Sequence, residues 1–98
     1  MMNSTNRRTE AQQIAQTVGI IVGAASCCEQ VTEERVNAVA VKLRKLVAAT
    51  ADDNVDADLA NKRFAAALEV GKTAVESGQI NLKQAEVALN DLEKELST

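Results

Sequence analysis

The chain has 98 residues, enough for one hydrophobic core and too few for two domains with a cleft between them. It is 46% apolar, yet Phe64 is its single aromatic residue, and Pro, Trp, Tyr and His are all absent, so any core is assembled from small pieces and sheet is disfavoured. The net charge of −3 divides unevenly, with six basic and four acidic groups in residues 1–50 against five basic and ten acidic in residues 51–98, a balance that disfavours a nucleic-acid partner, so none is expected.

Residues 1–8 are polar and unpatterned, and read as a flexible tail. From Ile14 the apolar residues fall at Ile14, Val18, Ile21, Ala25 and Cys28, spaced to share one helical face, which predicts a first helix over residues 9–29. Gly19, Ile20, Gly23, Ala24 and Cys27 make the second half of that helix apolar all round, as expected of a helix enclosed by its neighbours. The nearly unbroken apolar run 18–28 is about half of the roughly 20 residues a helix needs to cross a bilayer, so no transmembrane segment is expected.

Thr32 is placed to cap a second helix, with Glu33 and Glu34 at its positive end, and Val36, Val39, Ala40, Leu43, Leu46 and Val47 form its apolar face up to about Thr50. Residues 51–56, with Asp52, Asp53, Asn54 and Asp56, read as a loop. A third helix, capped by Asp56 or Asp58, carries Ala60, Phe64, Ala67, Leu68, Gly71 and Val75 on one side and stops at Gly78. Asn81 and Gln84 form a capping box for a fourth helix, whose stripe is Leu82, Ala85, Leu89, Leu92 and Leu96. The expected fold is therefore all-α, an antiparallel four-helix bundle built from two helical hairpins, with residues 9–98 as one domain.

Little of this carries chemistry. Without His the usual proton shuttle and the commonest metal-binding ring are missing, and no phosphate-cradling loop or nucleophile elbow is present. Neither an enzyme nor a cofactor is expected. Asp52, Asn54, Asp56 and Asp58 alternate like calcium ligands, but Ala57 stands where the loop needs Gly and Arg63 where it needs a bidentate Glu, so capping and solvation are the better reading. Acyl carriers need a serine where Asp58-Leu59 has none, and phosphotransfer bundles need a histidine.

Cys27 and Cys28 are the unusual local feature. On a helix they point about 100° apart, which separates their roles: Cys28 continues the core stripe, and Cys27 extends the Gly19 and Gly23 ridge of small residues. That ridge suits a close helix crossing, within the bundle or across a two-fold axis. Two thiols cannot complete a metal site alone, although a dimer would assemble four. Arg35, Lys42 and Lys45 lie near one another on the second helix and form a candidate surface for an acidic partner or a second copy.

The function expected from these residues is that of a small, non-enzymatic, cytoplasmic interaction protein that self-associates as a homodimer. Gly19, Gly23, Cys27, Arg35, Lys42 and Lys45 are its candidate contacts, and its surfaces lie on the first and fourth helices. One alternative is a thiol-dependent redox or metal-binding protein centred on Cys27 and Cys28. Another is a lipid-anchored envelope protein, because Arg7 and Arg8 precede an apolar segment ending in Ala24, Ala25 and Ser26 before Cys27.

Overall fold

A computed structural model describes residues 9–97 and contains four helices, α1 (Glu10–Ala25), α2 (Glu33–Thr50), α3 (Asn54–Glu76) and α4 (Leu82–Ser97), with no strand among the described residues. The expected all-α, four-helix fold is present. The tail assigned to residues 1–8 lies outside the described residues.

The helix starts follow local chemistry. Thr9, in extended conformation, accepts from the Gln12 N–H and caps α1; Thr32 does the same for α2 from Arg35 N–H. Asn81 Oδ1 accepts from Gln84 N–H at 2.8 Å while Gln84 Oε1 receives the Asn81 N–H at 3.4 Å, which is the expected capping box at the head of α4. The α3 helix ends in Ser77 and Gly78, and Gly78 has φ +83°, a conformation open to Gly at little cost.

Two boundaries differ from expectation. The helix α1 stops at Ala25, four residues before the predicted end, because Ser26 Oγ donates to the Gly23 carbonyl at 2.7 Å and the following amides of Cys27 and Cys28 bond three residues back. The chain leaves the helix in tight turns. At α3, Asp53 is the cap and not Asp56 or Asp58: its extended backbone turns the carboxylate onto the Asp56 N–H at 2.8 Å, so the loop shortens to residues 51–53.

The helix α1 is central and packs on all three others. Its first half meets Leu46 of α2 and Leu92 and Leu96 of α4, while at its far end Cys28 reaches Leu82 at the start of α4, so α1 runs antiparallel to both. Against α3 it runs parallel: Gly19 lies on Phe64 and Ala67, and Gly23 on Leu68.

The two sides of α1 are built differently. On one, Val18 and Val22 join Val39, Leu43, Val47, Leu89 and Leu92 in a buried aliphatic core, with Ala11, Ala15, Ala25 and Ala85 filling the space between them. On the other, the small residues Gly19, Gly23, Ala67 and Gly71 let the α1 and α3 backbones meet almost directly. This α1–α3 seam, and not contact within a second hairpin, holds α3: it touches α2 slightly and α4 least of all. The result is an elongated body of 43 × 29 × 17 Å, about two helix layers thick.

Candidate functional site

The small-residue ridge is covered inside the chain. A Cβ on Gly19 would sit 2.6 Å from the Ala67 Cβ and 2.7 Å from the Phe64 carbonyl, and one on Gly23 would overlap the Leu68 carbonyl. Gly19 and Gly23 are therefore α3-binding residues of the fold, and the two-fold alternative for that ridge has no free surface to use. The part of the expected first-helix surface that lies on this ridge is buried against α3, while Glu10, Gln13 and Thr17 stay exposed elsewhere on α1.

Cys27 does not extend the ridge, because α1 has ended before it; its side chain is exposed, with Sγ 3.8 Å from the Gly23 carbonyl. Cys28 is buried as expected of a core thiol and donates to the Leu82 carbonyl at 3.3 Å, tying the α1–α2 turn to the head of α4. Burial, then the nearby Glu86 and Cys27, push the Cys28 thiol up, which favours the protonated donor. No group of three or more His, Cys, Asp or Glu side chains gathers to hold a metal among the described residues. Native protein treated with iodoacetamide is expected to take one label rapidly at Cys27 and a second at Cys28 only after unfolding, read by mass spectrometry of the intact chain; equal rates at both would contradict the Cys28 contact.

The basic face of α2 is split by the fold. Arg35 reaches across to α4, where its guanidinium meets both Glu93 carboxylate oxygens, at 2.6 and 3.2 Å, and the Asn90 side-chain oxygen at 2.8 Å. This hydrogen-bonded pairing raises the Arg35 pKa and lowers that of Glu93. Lys42 donates to Ser97 Oγ at 3.1 Å, one helical turn beyond Glu93. Arg35 and Lys42 thus clamp α2 to α4. Arg44 and Lys45 remain exposed and form no ion pair among the described residues.

A polar cluster with no local signature in the sequence joins the starts of α1 and α3. The Asp56 carboxylate, 6% exposed, accepts from Thr9 Oγ1 at 2.6 Å, from Gln12 Nε2 at 2.8 Å and from the Asp52 N–H at 2.9 Å, while Arg63 Nε donates to Gln12 Oε1 at 3.1 Å. The bonds from Thr9, Gln12 and Asp52 outweigh desolvation and hold the Asp56 carboxyl below its ordinary value. Two of its three partners, Gln12 and Thr9, are 44 and 47 residues away in sequence. The available signal was topological: in an up-down-up-down order α1 and α3 start at the same end, which brings their first-turn polar residues together.

The surface feature that the fold leaves unexplained is the outer side of α3. Val55 (67% exposed), Leu59 (44%) and Val70 (55%) recur with exposed Ala66 at spacings of four, seven and four, a stripe beside the α1-facing side. Sequence reading passed over it because the α1-facing side presents the stronger apolar pattern. A smaller exposed pair, Leu82 and Val87, lies on α4. None of the described helices is long and apolar enough to cross a membrane. No family model, curated protein or solved structure matches this chain.

Proposed function

We propose that this chain is a non-enzymatic interaction module whose contact surface is the outer face of α3. The observation that carries this reading is the packing of a 23-residue helix almost wholly against one neighbour, which leaves the Val55, Leu59, Ala66 and Val70 stripe open to a partner. The absence of His from the sequence and the engagement of the buried carboxylate in three structural hydrogen bonds support a binding role over a catalytic one.

The envelope-lipoprotein alternative has less support. Processing before Cys27 would remove α1, the helix on which the other three pack. Arg7 and Arg8, which suggested that reading, lie outside the described residues. A cytoplasmic location remains part of the proposal, resting on two unpaired, adjacent cysteines in place of a disulfide framework.

Site-specific photo-crosslinking in the cells that make the protein tests the surface. A photoreactive residue at Leu59 or Val70 is expected to give discrete adducts, while the same residue at Thr17 on α1 gives none. Adducts of equal yield at all three positions, or at none, would overturn the assignment of the α3 face.

A further inference from the structure

We infer that the partner of the α3 face is a second copy of this chain, and that α2 supplies the matching surface. This rests on the reading of α3 as a contact helix and names its occupant.

After Glu34 the helix α2 carries cations and no anion; Arg35 and Lys42 are drawn to α4, which leaves Arg44 and Lys45 exposed beside Val41, itself 46% exposed. The start of α3 has the opposite sign. Val55 and Leu59 are flanked by exposed Asp52, Asp53 and Asp58, and the first cation, Lys62, comes a turn after Asp58. Each surface thus has an apolar centre and a charged rim, and the two rims are complementary.

Their placement in the chain suits closed pairing. The α2 helix ends at Thr50 and α3 begins at Asn54, so Lys45 lies about 7.5 Å along α2 before the turn and Asp58 about 6 Å along α3 beyond it, at 1.5 Å per residue. The two charged rims belong to the same end of the molecule, with Val41 one helical turn further from the turn than Lys45. A two-fold axis beside the turn then lays Val41 and Lys45 of each copy on Leu59 and Asp58 of the other, making the same contact twice and closing the assembly at two chains.

Reciprocity gives a test that a one-sided contact would fail. Lys45→Glu and Asp58→Lys are exposed positions within helices, and circular dichroism checks that both variants fold. Sedimentation velocity at low salt is expected to show wild-type dimers, and about tenfold weaker association for either variant alone, because each then sets like charges together at both contacts. An equimolar mixture of the two variants is expected to recover dimers, since every contact in the mixed pair again joins opposite charges. Three results would overturn the inference: a wild-type chain that stays monomeric, variants that dimerise as well as wild type, or a mixture no stronger than its components. A monomeric chain that still gives discrete adducts at Leu59 and Val70 in cells would reject self-pairing and leave the α3 contact surface standing.

Discussion

Gly23→Ala is expected to destabilise the protein by about 2–3 kcal/mol, although alanine is the better helix former by about 1 kcal/mol. The added Cβ would meet the Leu68 carbonyl, carbonyl carbon and Cα, all backbone atoms of α3 that cannot rotate aside. Relief requires α1 and α3 to separate, and separation opens a gap along the whole Gly/Ala seam, where dispersion contacts fall off steeply with distance. Gly71→Ala is expected to act alike from the other helix, since its Cβ would overlap the Ile20 carbonyl and lie 2.7 Å from the Ala24 nitrogen. Gly78→Ala gives a contrast: nothing lies within 4 Å of that Cβ, and the cost arises from its positive φ alone, about 1 kcal/mol. Urea unfolding followed by helical circular dichroism measures all three. A stabilised Gly23→Ala variant, as propensity alone requires, would show that the seam is looser than described.

Asp56→Ala is expected to lower the melting temperature by roughly 5–15 °C, because three donors that now converge on one carboxylate lose it together. Thr9 caps α1, Gln12 lies in its first turn and Asp52 in the α2–α3 turn, so the loss falls where the start of α1, that turn and the start of α3 meet. Asp56→Asn keeps the shape and part of the acceptor capacity and is expected to lie between wild type and Ala. The same carboxylate sets an acid dependence. Its folded pKa is depressed below the ordinary value near 3.8, so its contribution is fully present above that value and is lost as pH falls through the folded pKa. Glu93, depressed by Arg35, adds to stability in the same direction. Urea midpoints measured against pH should therefore be level down to about pH 5 and decline below about pH 4, with a shallower decline in Asp56→Asn. An unchanged acid slope in that variant would remove Asp56 from the acid response.

The two effects rest on features of different legibility. Gly19 and Gly23 stand out in the sequence as small residues on a ridge, and so does the possibility of a close crossing, but the choice between an internal and an external partner is not local. It was decided by Ala67 and Gly71, whose own spacing of four places a matching furrow on α3. Asp56 left no such mark. An aspartate in the first turn of a helix serves as a cap or a dipole partner often enough to hide a buried acceptor. Arg35 and Lys42 show the same limit in reverse, since their shared helix face made them look like one binding patch until Glu93 and Ser97 of α4 were placed beside them.

By itself the sequence determined the four helices, the caps at Thr32 and Asn81, the stop at Gly78, the apolar face of α2 and that of α4 from Ala85 onward, although Leu82, expected on the same stripe, is exposed. These depend on interactions within a few residues: a side-chain oxygen reaching an amide three positions on, a positive φ open to glycine, and a period of 3.6 that gathers apolar residues on one side. Only the tertiary structure decided that α3 would lie along α1, that the Gly19 and Gly23 ridge would be consumed there, and that Val55, Leu59 and Val70 would be left outside. A helix with two apolar sides records that both can be buried, and the shape of its neighbours settles which one is.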